Sequence, residues 1–128
     1  MRLLLDTHTL IWCYDGGSRL SPAALDILKD GAHEVYFSLA SAWEMAIKVA
    51  LGKLRLKVGT AELFREATEK YQFLPLPISL QDCLGVENLS PHHGDPFDRL
   101  LVSQCQHHQL RLISRDPIFD AYGVKRIW

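Results

Sequence analysis

The sequence lacks the features that would indicate a disulfide framework or a membrane segment. Its three cysteines, Cys13, Cys83 and Cys105, are widely spaced and form no C-x-x-C pair. This spacing argues against disulfides and thiolate metal sites and predicts that all three are small core residues. No apolar run approaches the ~20 residues that span a bilayer, and residues 1–5 are too few for a signal peptide. We therefore expect a cytoplasmic protein without a membrane partner.

The sequence also lacks a strong net charge. Its formal value is −1, so overall charge offers no electrostatic surface for nucleic acid. A polyanionic substrate would have to be held by a local basic patch or by a metal ion. The one obvious basic stripe consists of Lys53, Arg55 and Lys57. This stripe is either a solvated face or a contact for nucleic acid.

The rest of the composition is that of a globular protein, with 48% apolar and 23% charged residues. The pattern predicts strands at 2–6, 35–38, 73–78, 110–114 and 124–128. Helices are predicted at 7–14, 21–30, 41–51, 60–71, 79–84 and 97–107, and residues 53–58 form either a short strand or an extended arm. Strands that alternate with helices imply a parallel sheet covered on both faces. One α/β domain, 1–128, accounts for the whole chain.

A local motif, Asp95-Pro96-Phe97-Asp98, opens the longest helix of the second half. Asp95 is predicted to cap the helix, with Pro96 at its first position and Asp98 at its third. Backbone N–H groups and the helix dipole favour a negative charge there. Taken alone, the motif therefore requires no function.

Three further acids occupy comparable positions. Asp6 ends the first predicted strand, Glu44 is placed at the third helical position after the second, and Asp116 follows the fourth. Each has a local explanation: Ser41 and Glu44 match a capping box, and the two aspartates can be caps. The carboxyl ends of parallel strands share one edge, however, so these acids and Asp98 should gather there.

Four gathered carboxylates repel one another unless a cation lies among them. Hard oxygen ligands without cysteine or clustered histidine suit Mg²⁺ or Mn²⁺. Such ions most often handle phosphate, because carboxylates and phosphate oxygens hold them together. The sequence therefore predicts an acidic metal site that acts on a phosphate-containing substrate.

Several segments carry a family resemblance, which covers nearly the whole chain. They are LLLDTH at 3–8, SAWEMAIK at 41–48, GKL at 52–54, DPFDRLL at 95–101 and SRD at 114–116. With these segments the sequence resembles a PIN domain and, within that superfamily, the VapC-type toxin ribonucleases of bacterial type II toxin–antitoxin pairs. Residues 122–124 and 127–128 also resemble a PilT N-terminus-like branch.

This resemblance implies a three-layer α/β/α sandwich with a central parallel sheet, formed by a single PIN domain over 1–128. It further implies a Mg²⁺- or Mn²⁺-dependent endoribonuclease that cleaves RNA, is often a homodimer and is inhibited by a small antitoxin. Two positions depart from the pattern: Gly94 replaces a common Arg, and Ser114 a frequent Thr. The residues that match the family's acidic quartet are Asp6, Glu44, Asp98 and Asp116.

Within the quartet, we expect Asp6 and Asp98 to bind the principal ion and Glu44 and Asp116 to act as further ligands or to hold water. Other candidates near the acids have two interpretations each. Thr7 and Ser114 are either contacts for a metal water or phosphate, or local caps. Arg99 and Arg115 either hold RNA phosphate or lie in solvent or in a structural ion pair. Asp95 is a cap that could also hold an outer water.

Histidines and tryptophans are not assigned to the site. The spacing of His8, His92, His93, His107 and His108 favours no metal site, and adjacent rings such as His107 and His108 should point apart on a helix. Lys48 follows Glu44 by four residues, which is the spacing of a helix-stabilising pair. Trp12, Trp43 and Trp128 are interpreted as packing residues.

Three alternative functions remain. The first is a PIN-like nuclease that acts in RNA maturation or on structured DNA, for which 128 residues leave little room for gripping elements. The second is a receiver-type signalling domain, which needs an acid pair after the first strand and a lysine near the site. Here Asp6 stands alone and Lys125 lies in the last predicted strand. The third is a binding module with a dead site, against which the four intact acids argue.

Overall fold

The computed structural model describes residues 1–128, and strands and helices alternate along them. The five strands are β1 (Arg2–Leu5), β2 (Glu34–Ser38), β3 (Leu74–Leu76), β4 (Arg111–Ile113) and β5 (Arg126–Ile127). The six α-helices are α1 (Thr7–Cys13), α2 (Pro22–Lys29), α3 (Leu39–Ala50), α4 (Thr60–Glu69), α5 (Leu80–Gly85) and α6 (Pro96–His108). Two 3-10 helices are also present, Val86–Asn88 and Pro117–Tyr122.

All five strands run parallel in the order β3-β2-β1-β4-β5, so β1 lies at the centre. Leu4 of β1 pairs with Tyr36 on one side and with Leu112 on the other. The chain builds outwards from β1 to β3 and then crosses to the opposite side for β4 and β5. This crossing makes the boundary between β1 and β4 the switch point of the sheet, where α/β proteins bind ligands beyond the strand ends.

Two apolar cores cover opposite faces of the sheet. Leu3 and Leu5 of β1 enter one core, together with residues of α1, α2 and α4. Leu4 enters the other core, against α6, because successive side chains of a strand point to opposite faces. All three leucines are completely buried, and each contributes ~1.5–3 kcal/mol of hydrophobic stabilisation. The predicted α/β/α sandwich with a central parallel sheet is confirmed.

The start of α3 differs from the prediction. Ser38, the last residue of β2, caps the helix, and its hydroxyl accepts the N–H of Ala40 at 3.0 Å. Ser41 and Glu44 therefore form no capping box, and Glu44 is the sixth helical residue instead of the third. The helix begins early because Ser38 supplies a cap directly at the strand end, so no loop is needed.

The cysteines occupy three different environments. Cys105 is buried, Cys13 is half-buried and Cys83 is exposed on α5, so the prediction of a core position is wrong for Cys83. Burial raises the pKa of the Cys13 thiol and of the Cys105 thiol to about 12. Among the three, Cys83 is the most exposed thiol.

The tryptophans are divided between packing and surface positions. Trp12 and Trp128 pack edge to face with ring centroids 5.8 Å apart, as expected for packing residues. Trp43 is 60% exposed on α3, which corrects its interpretation as a packing residue, and it contacts the ring of Phe97.

Residues 53–58 form an arm without regular structure, whose apolar residues pack against the core. None of the helices has both the length and the hydropathy of a membrane span.

Candidate active site at the carboxyl edge of the sheet

Asp6 lies at the switch point, directly after β1. Its side chain caps α1, with Oδ1 accepting the N–H of Thr9 at 2.8 Å. Its Oδ2 accepts the hydroxyl of Ser114, which follows β4, at 2.5 Å. Burial raises the pKa of Asp6, and the hydrogen bonds from Ser114 and Thr9 oppose that rise. The carboxylate is thus fixed between the ends of the two strands that define the crevice.

Asp98 is placed by the local motif that the sequence indicated. Asp95 caps α6 and its Oδ1 accepts the N–H groups of Phe97 and Asp98, at 2.8 and 3.1 Å. Burial is the largest cause that raises the pKa of Asp98 to about 8. Repulsion from neighbouring carboxylates adds to this rise, in the order Asp95, Asp6, Glu44 and Asp116. The structure therefore brings the sequence-distant acids within electrostatic reach of Asp98.

Glu44 is buried, and both of its carboxylate oxygens have partners. The Thr7 hydroxyl donates to Oε1 at 2.6 Å and lies 2.9 Å from the Ser41 hydroxyl. The Lys48 ammonium contacts Oε2 at 2.5 Å. This hydrogen bond raises the pKa of Lys48, and the charge of Asp98 adds to the effect. Glu44 is therefore already paired with a cation, unlike the other acids of the quartet.

Between Asp116 and Asp98 lies a histidine, His93, that the sequence analysis did not assign to the site. The Oδ1 atom of Asp116 caps the second 3-10 helix by accepting the N–H of Ile118 at 3.0 Å. The Oδ2 atom lies 3.3 Å from Nε2 of His93, which is itself 3.0 Å from Oδ2 of Asp98. Nδ1 of His93 accepts the N–H of Asp95 at 3.1 Å, so in the neutral ring the proton is on Nε2. That N–H faces two carboxylates but is aligned with neither.

The sequence did contain a signal for His93, since it stands two residues before a predicted cap. This spacing lets the ring fold back onto the backbone N–H of Asp95 and face the same edge as Asp98. The spacing expected of metal ligands does not identify His93. Its Nε2 faces the carboxylates, and its Nδ1 accepts a backbone N–H that fixes the orientation of the ring.

Ser114 and Thr7 brace the carboxylates. The Ser114 hydroxyl donates to Asp6 and accepts the N–H of Asp116 at 3.0 Å, so it links two acids of the quartet. The Thr7 hydroxyl donates a hydrogen bond to Glu44. Both hydroxyl protons are committed within the chain, which favours a bracing role over direct contact with a phosphate.

Arg99 holds the segment before α6. Its guanidinium donates to backbone carbonyl groups of residues 86–93 and contacts the hydroxyl of Tyr122 at 3.2 Å. These contacts fix the loop that carries His93 and leave the guanidinium without a carboxylate partner. The interpretation of Arg99 as part of an ion pair is therefore wrong, and its contact with RNA phosphate stays a prediction.

Arg115 is exposed and lies at the rim of the site. It lines a cavity of about 340 Å³ that also includes His8, Trp12 and Pro117, together with the carboxylates of Asp6 and Asp116. Arg115 forms no ion pair, so its guanidinium is available beside the acids.

In the basic stripe of Lys53, Arg55 and Lys57, the Nζ atom of Lys57 lies 3.6 Å from Oδ1 of Asp15.

The donor chemistry of the quartet is that of a hard divalent cation. All four groups offer carboxylate oxygens, and burial together with repulsion from the neighbouring carboxylates raises the pKa of Asp98. No three of these carboxylates have oxygens within 4.8 Å of one another. Such a spread suits Mg²⁺, because this ion keeps several waters and takes only one or two protein carboxylates. The residues present therefore fit a hydrated divalent ion.

The protein is an α/β/α sandwich with an all-parallel sheet and an acidic crevice at the switch point of that sheet. The family model of the PIN domain matches residues 3–125. The chain belongs to the PIN-domain family, which confirms the resemblance found in the sequence.

Individual relatives agree with this assignment. The chain is 26% identical to Ribonuclease VapC22 of Mycobacterium tuberculosis (strain ATCC 25618 / H37Rv) over 114 residues, which cover 89% of this chain and 86% of the relative. The fold is similar to a solved structure of VapBC2 from Rickettsia felis bound to a DNA fragment from the promoter. That match has a TM-score of 0.72 and 11% identity and covers 99% and 98% of the two chains.

Two further structures share the fold. VapBC-1 from nontypeable Haemophilus influenzae gives a TM-score of 0.66 at 16% identity, with 99% of this chain and 97% of that chain covered. FitAcB from Neisseria gonorrhoeae gives 0.62 at 23% identity, with 98% and 96% covered.

Proposed function

We propose that the protein is a divalent-metal-dependent endoribonuclease of the VapC type and the toxin of a toxin–antitoxin pair. In this proposal residues 1–128 act as a single PIN domain in the cytoplasm. The observation that carries the proposal is the convergence of Asp6, Glu44, Asp98 and Asp116 at the switch point, where repulsion helps to raise the pKa of Asp98. The choice of RNA as substrate rests on the similarity to Ribonuclease VapC22.

We assign Asp6 and Asp98 to the principal Mg²⁺ or Mn²⁺, and Glu44 and Asp116 to its coordinated waters. Bound there, the ion would supply a Lewis acid that lowers the pKa of water and offsets charge on the attacked phosphate. Hydrolysis by in-line attack of water would leave a 3′-hydroxyl and a 5′-phosphate.

The chain's own residues prepare this site. Ser114 fixes the orientation of Asp6, and Thr7 with Lys48 fixes Glu44. His93 places its Nε2 3.0 Å from Oδ2 of Asp98 and 3.3 Å from Oδ2 of Asp116, so that either carboxylate can turn to accept its proton. Each contact restrains a carboxylate before substrate arrives, which lowers the cost of ordering the site during the reaction.

The rim would hold the substrate. Arg115 is the accessible cation beside Asp6 and Asp116, and its guanidinium can bind a backbone phosphate next to the bond that is cleaved. Asp95, whose Oδ1 is committed to the helix cap, could hold an outer water with Oδ2. These assignments give RNA a path along the carboxyl edge of the sheet.

The test is a cleavage assay on purified protein with single-stranded RNA, with Mg²⁺ and with EDTA. We expect Mg²⁺-dependent cleavage that EDTA and Asp6→Asn both abolish. Asp26→Asn is a matched control, because Asp26 is an exposed carboxylate on α2 outside the site. Cleavage that persists in EDTA would contradict the metal site. Cleavage of structured DNA in preference to RNA would support the alternative nuclease.

We further propose a small antitoxin as partner, because the similar structures include VapBC assemblies and a complex described as toxin–antitoxin from Klebsiella pneumoniae. A tail of this antitoxin would enter the acidic groove and block the metal or RNA. The prediction is a short open reading frame immediately upstream of the gene, whose product co-purifies with this chain and inhibits cleavage. An upstream product that binds without inhibition would contradict the blocking role.

A homodimer completes the proposal. Helix α5 exposes Leu80 to 74% and also exposes Cys83 and Leu84, so one face of this short helix is apolar and open to solvent. Burial of such a face between two copies would be favourable. Light scattering on purified protein should give twice the chain mass for the wild type and the monomer mass for a Leu80→Glu, Leu84→Glu variant. A monomeric wild type at high concentration would exclude the dimer.

A further inference from the structure

A second cluster of metal-ligating side chains lies at the opposite end of α6 from Asp98. It consists of His107 and His108, the last two residues of α6, and Asp82 of α5. One ligand atom from each residue lies within 4.8 Å of the others. His107 stands nine positions after Asp98, which is about 14 Å along a helix. The cluster is therefore separate from the candidate active site.

Asp82 is held in place by the protein around it. Its side chain is completely buried, and Oδ2 accepts the N–H of Ser79 at 3.0 Å and the side-chain amide of Gln104 at 3.3 Å. Its backbone carbonyl accepts the Ser103 hydroxyl at 2.6 Å. The other carboxylate oxygen, Oδ1, lies 3.1 Å from Nε2 of His108. One oxygen is thus fixed by donors while the other points to a histidine, which is how outer hydrogen bonds orient metal ligands.

Hydrogen bonds and the end of α6 both act on the Asp82 carboxylate. Burial raises its pKa, but hydrogen bonds from Ser79, Gln104 and His108 outweigh that effect and lower the pKa below its ordinary value. The carboxylate lies beside the C-terminal end of α6, where the helix dipole favours a cation.

An ion pair between Asp82 and His108 explains only part of this arrangement. Such a pair needs one histidine, whereas the ring of His107 also lies close, with centroids 4.8 Å apart and planes 87° apart. The expectation that adjacent rings point away from a common ligand position is wrong here, because the edge-to-face arrangement leaves a nitrogen of each near Asp82. Two histidines and one buried carboxylate are a ligand set that could hold a metal ion.

We propose that Asp82, His107 and His108 bind a transition-metal ion, with Zn²⁺ as the preferred ion. Imidazole nitrogen suits Zn²⁺ far better than Mg²⁺, and three protein ligands leave a position for water. Two tetrahedral ligands of one ion lie ~3.3–3.6 Å apart at Zn–ligand distances of ~2.0–2.2 Å, so the 3.1 Å between Nε2 and Oδ1 needs to widen by only a few tenths of an ångström. A bound ion would join α5 to the end of α6.

The test is a calorimetric titration of the metal-free full chain with Zn²⁺ alone. Co²⁺ serves as a visible probe whose absorption bands report the coordination geometry. We expect one Zn²⁺ per chain, and His107→Asn and His108→Asn should each weaken its binding by about tenfold or more. His107 is exposed, so His107→Asn preserves the fold, which circular dichroism verifies.

Two control variants distinguish this site from binding at a lone surface histidine and from binding in the acidic crevice. His33→Asn removes a histidine that also lies near an aspartate, Asp30 at 3.4 Å, but has no second histidine beside it, so Zn²⁺ binding should remain unchanged. Asp6→Asn disables the candidate active site and should leave the same Zn²⁺ affinity. Equal binding by wild type and His107→Asn would overturn the proposal. Loss of Zn²⁺ binding in Asp6→Asn would overturn it as well, since the ion would then occupy the acidic crevice.

Discussion

The two ends of α6 carry charged clusters of opposite character. At its beginning, Asp98 lies among carboxylates, and burial together with their repulsion raises its pKa to about 8. At its end, burial also raises the pKa of Asp82, but donors that include Ser79 and His108 lower it below the ordinary value. The same helix thus connects a cluster of several carboxylates to one in which hydrogen-bond donors surround a single carboxylate.

The helix dipole contributes to this difference but does not account for its size. A helix N-terminus favours one negative charge and a C-terminus one positive charge, each by ~0.3–1 kcal/mol. Five carboxylates influence the first turn of α6, counting Asp95, whereas Asp82 at the last turn faces two histidines. Several carboxylates therefore mark the end at which we propose a divalent ion, and a single carboxylate with histidine partners marks the other end.

The largest expected effect concerns the cluster of several carboxylates. Asp98→Asn keeps the shape of the side chain but removes one ligand charge, and kcat/KM for RNA cleavage in Mg²⁺ should fall about a thousandfold, as expected for several kcal/mol of transition-state stabilisation. Steady-state cleavage assays measure this, with Asp26→Asn as the unaffected control. A loss of less than threefold would remove Asp98 from the reaction.

The next effect is on the stability of the metal-free protein. The folded-state pKa of Asp98 is about 8, above the ordinary Asp value, so the folded chain binds the proton more tightly than the unfolded chain. Stability should thus be highest below pH 4 with respect to this group and fall by a few kcal/mol as pH rises to about 8. Urea unfolding of wild type and Asp98→Asn in EDTA measures the difference. A parallel pH profile in both proteins would refute the assignment.

A smaller effect is expected at His93. His93→Ala should raise the Mg²⁺ concentration for half-maximal cleavage by about tenfold to a hundredfold, because Asp98 and Asp116 lose the donor between them. His93→Gln retains an N–H donor and should restore part of the affinity. Mg²⁺ titrations of cleavage rate measure both. Identical titrations for His93→Ala and wild type would show that the ring is a packing residue.

The smallest effect concerns the cluster at the C-terminal end of α6. In metal-free protein, His107→Asn should change the free energy of unfolding by less than about 0.5 kcal/mol, because His107 is exposed and the Asp82–His108 contact remains. Urea unfolding in a chelator gives this value. A loss of several kcal/mol would mean that the C-terminal cluster is structural and not a site kept for an ion.

Sequence reasoning predicted the sheet, its parallel direction and the edge at which Asp6, Glu44, Asp98 and Asp116 gather. These features depend on local patterns, namely apolar strands, caps and the rule that parallel strands end at one edge. The cap motif at Asp95 placed Asp98 correctly for the same reason. Their roles as metal ligands remain a prediction.

Features that depend on tertiary contacts were not predictable. The spacing of His93 before the cap indicates its contact with the N–H of Asp95, but the loop that brings the ring to Asp98 and Asp116 is also held by Arg99 through carbonyl groups that have no sequence signal. Asp82 lies 25 residues before His107, on another helix, so no spacing rule connects them. The exposure of Trp43 and Cys83 depends on how α3 and α5 are rotated against α6, which periodicity does not determine.

The unequal environments of the three thiols have a practical consequence. At neutral pH the thiols of Cys13 and Cys105, with pKa values of about 12, are almost entirely protonated, and Cys83 is the most exposed of the three. In the monomer, a maleimide dye would therefore attach mainly at Cys83 without any engineered cysteine, whereas the proposed homodimer would cover this thiol. Because Cys83 adjoins Asp82, such a dye would give the monomer a fluorescent reporter of the proposed ion binding on α5.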